Sequence, residues 1–360
     1  MDAVAAMRRA LRLASLSAGM TWPNPGVGCV LVQAGVIIGE GRHQRCGDLH
    51  AETAALADCR AKGHDPAGAT AYVTLAPCTR QGRQPPCTTA LIAAGVAHVV
   101  AAVADPHQDE AGAILAAHGI SYAEGLLSAE ALLVHGGFLT RIGCGRPRFT
   151  GKWAMSLDGA IADSAGQGGW LSSPAALVWS RRRRRAYDAI LIGAGTATAD
   201  DPSLLATRPR WHGDARGPVR IVLSAAGRLG LGSRLVATLD RAPLWLVHDH
   251  RASGLGPLQA AGVRTLAVAD AHQPDQVAAA LGAAGLNEVL VEGGATIHGA
   301  FLRANLYDRI DTQVAARTLG GGLPAAGGWG QTVVAATRWT AETPPVVRGD
   351  TVCLRLRRNG

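Results

Sequence analysis

The sequence predicts an α/β protein of two tandem layered domains, and three observations carry that prediction. Short β-branched runs alternate with stretches of helical spacing along the whole chain. The alternation breaks once, at Gly143-Cys144-Gly145-Arg146-Pro147-Arg148. At 360 residues the chain also exceeds what one ordinary core holds. Domains over 1–145 and 146–360 are therefore expected. No internal repeat relates the halves, so each is expected to do different chemistry.

In the first half, residues 2–18 combine apolar and basic positions at helical spacing and end at Gly19. Pro23-Asn24-Pro25-Gly26 reads as a rigid loop leading into a buried strand, Val27 to Val32, with a second strand from Gly35 to Gly39. Leu49 to about Lys62 has a helical pattern, and 71–75 is a short strand. A helix near 88–94, a strand near 97–104 and a helix near 111–118 follow. The second half reads as strands at 149–155, 188–193, 219–223, 243–248, 288–291 and 308–315, with helices at 174–187 and 295–304.

Composition narrows the functional classes. Hydrophobic residues make up 48% and charged residues 17%, which indicates a buried core and excludes a disordered chain. The net charge of +8 comes without a basic low-complexity tail, so nucleic acid is not expected; the charge suits small phosphorylated substrates or a merely arginine-rich proteome. Arg181 to Arg185 lie inside an expected helix, where successive side chains point in different directions, so a solvated surface is the simpler reading. Seven scattered cysteines argue against a disulfide framework and for a reducing compartment. Arg8, Arg9 and Arg12 interrupt the apolar N-terminus before it reaches secretory length. No segment approaches the roughly 20 apolar residues of a membrane span. A cytoplasmic protein without a membrane partner is expected.

The chemistry-bearing pattern of the first half is His50-Ala51-Glu52, then Pro77-Cys78, then Cys87. A catalytic zinc takes three protein ligands and keeps an open position for water. His50 would supply an imidazole, and Cys78 and Cys87 would supply thiolates. Glu52 is spare: two residues after His50 at a helix start, it can move protons between water, a ring nitrogen and departing ammonia. The pattern matches the zinc-deaminase signature H-x-E…P-C-x-x-C except that Cys87 lies nine residues after Cys78. A chance His-x-Glu with two buried cysteines would lack the Pro-Cys and the upstream Pro-Asn-Pro loop. A purely structural zinc would have four ligands and no free carboxylate.

The stretch Thr74-Leu75-Ala76-Pro77-Cys78-Thr79-Arg80-Gln81-Gly82-Arg83-Gln84-Pro85-Pro86-Cys87 resembles the TLEPCSHxGRTPPC segment of the bifunctional riboflavin-biosynthesis deaminase/reductase family. The long spacer between the cysteines marks that branch. The resemblance implies a cytidine-deaminase-like three-layer N-terminal domain with one zinc per chain. It also implies that Asn24 and His43 help hold a pyrimidine and that Arg83 reaches its 5′-phosphate. The chain departs from the family at Ala76 and Arg80, and at His107 in Asp105-Pro106-His107-Gln108.

In the second half, Glu292-Gly293-Gly294 follows a buried strand and opens a helix, where glycines let backbone N–H groups approach a pyrophosphate. Gly193-Ala194-Gly195 has a similar position but lacks the third glycine of the dinucleotide fingerprint, so a Rossmann domain is not expected. Around these, Lys152-Trp153-Ala154-Met155-Ser156-Leu157-Asp158-Gly159, Trp170-Leu171-Ser172-Ser173-Pro174, Ala199-Asp200-Asp201-Pro202-Ser203-Leu204 and Leu319-Gly320-Gly321 resemble the reductase domain of the same family. That resemblance implies a dihydrofolate-reductase-like fold and NADPH as cofactor. It places Ala154, Trp170, Thr196, Asp200, Gly294, Ala295, Thr296, Ile297, His298, Gly299 and Ala300 along the cofactor. Gly168, Arg184, Leu204, Arg208 and Glu292 would hold the ribosyl phosphate substrate, and Asp200 is the carboxyl considered for proton delivery. Pyrimidine ribosyl phosphates are the implied partners, in a homo-oligomer. NADPH over NADH follows from the resemblance alone, since the sequence names no arginine for the 2′-phosphate.

Three readings therefore remain open at the level of sequence. The first is hydrolytic deamination of 2,5-diamino-6-ribosylamino-4(3H)-pyrimidinone 5′-phosphate, followed by NADPH reduction of the ribosyl side chain. The second is a reductase whose zinc-binding deaminase domain has decayed, for which Ala76, Arg80 and His107 speak. The third is a non-enzymatic nucleotide-binding protein, against which the free Glu52 speaks.

Overall fold

Alternating burial along the first strand shows how the N-terminal half is layered. Cys29 and Leu31 enter one apolar cluster, whereas Val30 and Val32 enter another. Successive strand residues point to opposite faces, so both faces of this sheet must be covered. The structure, a computed structural model, describes residues 1–82, 84–107, 110–206, 217–332 and 336–359. Among these the chain forms two compact units, Met1–Gly145 and Arg146–Gly360.

The first unit runs α1 (Ala3–Ser15), β1 (Gly28–Gln33), β2 (Val36–Arg42), α2 (Ala51–Ala61), β3 (Thr70–Val73), α3 (Cys87–Ala93), β4 (His98–Ala101), α4 (Ala111–Ala117), β5 (Ser121–Glu124) and α5 (Ser128–Cys144). Its sheet has the order β2-β1-β3-β4-β5, antiparallel across β1 and parallel from β3 to β5. Met7 and Leu11 of α1 and Ala131 of α5 cover one face; Leu56 of α2, Leu91 of α3 and Leu115 of α4 cover the other. Three layers result. Asp2 caps α1 by accepting from the Ala5 N–H at 2.7 Å.

The position of α2 matters most, because His50 and Glu52 sit at its start. It lies almost backbone-to-backbone on β2: a Cβ at Gly39 would sit 2.5 Å from the Ala55 carbonyl oxygen, and one at Gly41 would sit 2.6 Å from that of Ala51. Neither glycine is in a left-handed conformation, so proximity alone demands them.

The second unit runs β6 (Arg148–Met155), β7 (Ala160–Ala162), α6 (Pro174–Arg183), β8 (Ala189–Gly193), α7 (Ala194–Asp200), β9 (Val219–Leu223), β10 (Leu244–Asp249), α8 (Gly256–Ala260), β11 (Arg264–Val268), α9 (Pro274–Ala283), β12 (Glu288–Val291), α10 (Ala295–Arg303), β13 (Tyr307–Ala315), β14 (Leu323–Pro324), β15 (Trp339–Ala341), β16 (Val346–Arg348) and β17 (Thr351–Arg358). The large sheet is ordered β11-β10-β9-β8-β12-β6-β13-β17-β15, parallel from β11 to β13 and antiparallel at β17. Ile190, Val222 and Leu246 build one apolar cluster with Leu258 and Leu235. Elsewhere Phe301 stacks on Tyr307 and meets Phe149 edge-on, with ring centroids 5.5 and 5.2 Å apart.

Several expectations need correction. The break near 143–148 is only three residues of connection, because α5 continues to Cys144 and β6 starts at Arg148. Gly136-Gly137 interrupts the apolar spacing of α5 in sequence, but burial of Ala131, His135 and Gly137 holds it as one helix. The expected helix 174–187 ends at Arg183 and tightens into a 3₁₀ turn over Arg184–Ala186. The parallel edge strand β11 and the C-terminal ribbon β15–β17 add to the expected strands.

Replacing Gly41 by alanine should force α2 off β2. A loss of about 1–3 kcal/mol of stability is expected from such overpacking, read from the denaturant midpoint, together with weaker metal retention by the purified protein.

Candidate functional sites

Two helix starts bring the first site together. His50 is the N-cap of α2, in extended conformation, and Cys87 is the first residue of α3 after Pro86. Both therefore stand where uncompensated N–H groups favour negative charge, and a thiolate gains from that. Cys78, after β3, accepts the Cys87 backbone N–H at its sulfur at 3.2 Å. His50 Nδ1 lies 3.3 Å from Cys87 Sγ and 3.6 Å from Cys78 Sγ, and the three ligand atoms are all within 4.8 Å of one another. Tetrahedral zinc, with arms of about 2.0–2.1 Å to nitrogen and 2.3 Å to sulfur, sets nitrogen–sulfur edges at about 3.5 Å. The donor set fits the metal.

The protonation of these groups says the same. The Cys78 thiol is held down to about 4, first by the hydrogen bond from Cys87 and then by His50, against its burial. Its hydrogen bond to Cys78 pushes the His50 imidazole up, and Cys87 is pushed far up as the sulfur that keeps its proton. One imidazole and two sulfurs are thus held together by shared protons, where a dication would satisfy all three at once. Glu52, in the first turn of α2, is 3% exposed and stands outside the ligand trio. Burial, then the charge on Cys78, pushes its carboxyl up to about 7.

A cavity of about 370 Å³ opens over this group, lined among others by Asn24, His43, Glu52, Asp105 and Phe138. His43 Nδ1 faces the Leu49 carbonyl at 3.0 Å and so carries the proton; Nε2 then accepts from Asn24 Nδ2 at 3.3 Å. Burial pushes the His43 imidazole down, which keeps it neutral. Ala76, Arg80 and His107 line the same cavity. Arg83 lies outside the described residues. Asp105 and Phe138 escaped the sequence reading of the site. Asp105 accepts the His107 N–H at 3.0 Å, and Phe138 comes from α5, which the sequence does not announce.

The second site stands at the carboxyl ends of the parallel strands in the other unit. The Glu292 N–H donates to the Leu191 carbonyl at 2.9 Å, which ties the end of β12 to β8. The loops that follow are neighbours, since a Cβ at Gly294 would sit 3.6 Å from Thr196 Oγ1. Gly294 caps α10 with no side-chain hydrogen bond, leaving its first N–H groups to a ligand, and nothing lies within 4 Å of a Cβ built at Gly195. This open glycine cradle fits a dinucleotide pyrophosphate.

Beside it, Arg184 grips Glu292 with two bonds, Nε to Oε1 at 2.7 Å and Nη2 to Oε2 at 2.8 Å. Burial would raise the Glu292 carboxyl, but Arg184 and then Lys152 overcome it and hold it at about 2. Lys152, on β6, was not singled out from sequence; burial lowers its ammonium pKa while Glu292 opposes. Ala154 is half-buried further along the same strand, and Trp170 is 70% exposed, with the Arg181 guanidinium 5.2 Å from its ring centre. Asp200 is exposed at the end of α7, and Gly168 bridges to Ala162.

Not every expected residue faces this cleft. Ala295 and Thr296 open α10, but His298 is fully buried with Nδ1 2.7 Å from the Tyr307 hydroxyl. Gly299 is pressed against the Gly327 carbonyl, while Ile297 packs under Gly193 and Gly293, and Ala300 is half-buried. Leu204 buries its side chain in the apolar cluster at a left-handed φ of 51°, so its backbone is what it can offer a substrate. Arg208 lies outside the described residues. The arginine run is largely absorbed by protein: Arg183 pairs with Asp311 at 3.0 Å, Arg184 with Glu292, and Arg181 rests on Trp170.

The fold and sites define a class: a zinc-deaminase-type α/β/α domain in one chain with a reductase-type domain on a mostly parallel sheet. Residues 2–103 match the cytidine and deoxycytidylate deaminase zinc-binding region, and residues 147–346 match the RibD C-terminal domain. The chain is 39% identical over 333 residues to the riboflavin biosynthesis protein RibD of Escherichia coli (strain K12), covering 87% of this chain and 88% of that protein. It is 36% identical to RibD of Mycobacterium tuberculosis (strain H37Rv), covering 92% and 91%. Among solved structures, Acinetobacter baumannii RibD (form 1) superposes with a TM-score of 0.88 at 31% identity over 99% of each chain. A diaminohydroxyphosphoribosylaminopyrimidine deaminase/5-amino-6-(5-phosphoribosylamino)uracil reductase from Thermotoga maritima superposes with a TM-score of 0.86 at 30% identity, over 99% of this chain and 98% of that one.

The chain belongs to the RibD family. It is a bifunctional deaminase and reductase of riboflavin biosynthesis, with a cytidine-deaminase-like N-terminal domain and a dihydrofolate-reductase-like C-terminal domain. The decayed-deaminase reading gains no support. Among the described residues no helix is long and apolar enough to cross a membrane.

The Arg184–Glu292 pair has a pH signature. Its carboxyl ionises at about 2 in the fold against an ordinary 4.5. Its stabilisation is therefore complete above about pH 4.5 and lost as pH falls towards 2. Glu292→Gln should cost about 3 kcal/mol at neutral pH. The gap between variant and wild type in thermal unfolding should close as pH drops through that window.

Proposed function

We propose that the first unit deaminates 2,5-diamino-6-ribosylamino-4(3H)-pyrimidinone 5′-phosphate and that the second reduces the ribosyl side chain of the product with NADPH. The observation that carries the reading is the convergence of His50, Cys78 and Cys87 beside a buried, unligated Glu52 under a cavity of about 370 Å³.

His50, Cys78 and Cys87 would hold one zinc per chain, which when bound supplies a Lewis acid that brings a water's ionisation near neutral pH. The residues do the rest. Glu52 takes a proton from the attacking water and delivers it to the ring nitrogen, from a buried position in the first turn of α2 beside the ligand trio. The water oxygen bonds to the amino-bearing carbon, the carbon–nitrogen bond to the exocyclic amine breaks, and the remaining water proton leaves with ammonia through the same carboxyl. His43, fixed as a neutral acceptor, orients the Asn24 amide against the pyrimidine.

In the second unit the open glycine cradle of Gly195 and Gly294 would take the pyrophosphate of NADPH, which when bound would supply a hydride. The change this would serve is reduction of C1′ of the opened ribosylamino group to the ribitylamine, with Asp200 the exposed carboxyl considered for the accompanying proton. The Arg184 fork, locked by Glu292, still has N–H groups for the substrate phosphate. Holding the substrate carbon in line for that hydride would be the residues' main contribution.

Glu52→Ala separates the halves. Ammonia release from the diamino substrate should fall by at least about 100-fold, as expected for losing a general acid–base, while NADPH oxidation with the deaminated intermediate continues. Metal analysis should find about one zinc per chain in both proteins, and Cys87→Ala should lose it. Loss of both activities in a folded Glu52→Ala protein would overturn this division.

A further inference from the structure

We infer that Asp158 is a positioning residue for the cofactor of the second unit. By holding the backbone of Leu319 and Gly320 it pins a strap, residues 319–328, whose far end sets the opening turn of α10. The inference rests on the reading of this unit as an NADPH reductase. It gives one role to two motifs, Leu157-Asp158-Gly159 and Leu319-Gly320-Gly321, that the glycine cradle and the Arg184–Glu292 pair leave without a task.

Ser156 to Gly159 form the turn after β6, at the carboxyl end of a parallel strand, where ligands of such sheets gather. Asp158 is exposed there, yet its carboxylate is engaged on both oxygens. Oδ2 accepts the Gly320 N–H at 2.7 Å, both oxygens accept the Leu319 N–H at 3.1 Å, and Oδ1 also accepts from the Ser156 hydroxyl. These bonds, that from Ser156 first, hold the carboxyl well below the usual carboxylate range, so at neutral pH it is a charged acceptor. From the same turn the Leu157 N–H donates to the Arg317 carbonyl at 2.7 Å.

The strap then follows a path that favours glycine. Gly320, Gly321 and Gly322 have φ of +70°, +112° and +157°, and a Cβ at Gly322 would sit 2.2 Å from the Ala162 carbonyl oxygen. Leu323 and Pro324 pair with Ala162 and Ala160 of β7. At the far end the Gly327 N–H donates to the Ala295 carbonyl at 2.9 Å. A Cβ at Gly299 would sit 1.8 Å from the Gly327 carbonyl oxygen, so that glycine is what lets the strap lie on α10. Residues 316–328 include no buried one. Hydrogen bonds at its ends, not apolar burial, therefore hold the segment.

Ala295 is the first residue of α10, directly after Gly294, and the N–H groups of this turn are those open to a pyrophosphate. A carboxylate that grips one end of the strap thus sets the other end against the cradle. Because the pyrophosphate is common to NADPH and NADH, loosening the strap weakens both alike and spares the reaction once the cofactor is bound.

The test uses the full-length protein. With the deaminated intermediate, Asp158→Ala should raise the KM for NADPH by about 10-fold, the low end for lost bonds to a charged group. Its kcat at saturating NADPH should stay within about two-fold of wild type, which also shows that the variant is folded. Calorimetry should find NADPH and NADH weakened by the same factor. Asp158→Asn, which keeps one acceptor oxygen, should recover part of the loss. Hydrogen exchange read by mass spectrometry should quicken at 325–328 as well as at 319–320, which a merely local role for Asp158 would not produce. Gly322→Ala should raise the KM by itself, and the double variant should be no worse than the worse single one. Asp158→Asn and Gly322→Ala carry the same comparison should Asp158→Ala fail to fold. An unchanged KM, a fall in kcat alone, unaltered exchange at 325–328, or effects that multiply in the double variant each overturn the inference while the NADPH reading stands. Failure of wild type to bind either dinucleotide overturns that reading and the inference with it.

Discussion

The convergence of one imidazole and two sulfurs at two helix starts is the constraint on which the first unit depends. Three such donors packed within hydrogen-bonding distance cannot all give up their protons unless a positive charge joins them. The fold meets that demand with geometry. The N-cap position of His50 aims Nδ1 at both sulfurs, and the start of α3 turns Cys87 back onto Cys78. Glu52 is then a consequence of helical phase, because two residues into α2 its carboxyl is buried beside the donors but not among them.

That geometry rests in turn on how closely α2 lies against β2. Two glycines with ordinary dihedral angles let helix and strand backbones meet, which brings the ligand-bearing end of the helix down to the mouth of the sheet. In the second unit the organising element is electrostatic. Arg184 with Glu292, and Arg183 and Arg355 with Asp311, place charged groups inside the unit as mutually satisfied pairs. Such pairs contribute specificity of arrangement more than net stability, since desolvation offsets much of their attraction. Here they hold the Arg184 fork in one orientation beside the glycine cradle.

The metal trio and its carboxylate were legible because the chemistry tolerates few residue types at those spacings. The central strands at 188–193, 219–223 and 288–291 were legible for a different reason: strands buried on both faces carry near-continuous apolar runs, here Ile190-Leu191-Ile192, Ile221-Val222-Leu223 and Val289-Leu290-Val291. Helix α5 was not legible, because Gly136-Gly137 disguises it and only burial against the first sheet makes it stable. Phe138 was hidden with it. The five arginines invited a surface reading, yet a tightening of the backbone at Arg184 sends neighbouring side chains to different carboxylates. His298 and Gly299 sit within a motif that, read along the chain, lines a cofactor, but a helix presents only part of its circumference to any one cleft.

What the sequence determined by itself was identity of chemistry: which atoms can bind zinc, which carboxyl is spare, and which glycines permit a pyrophosphate to approach. These depend on residue type and short spacing, both of which survive without coordinates. What only the tertiary structure decided was direction and partnership. Whether an arginine faces solvent, a carboxylate or a cofactor depends on groups more than a hundred residues away, as with Arg184 and Glu292. No local pattern encodes such a pairing, because it is set by which strand ends the parallel sheet places side by side.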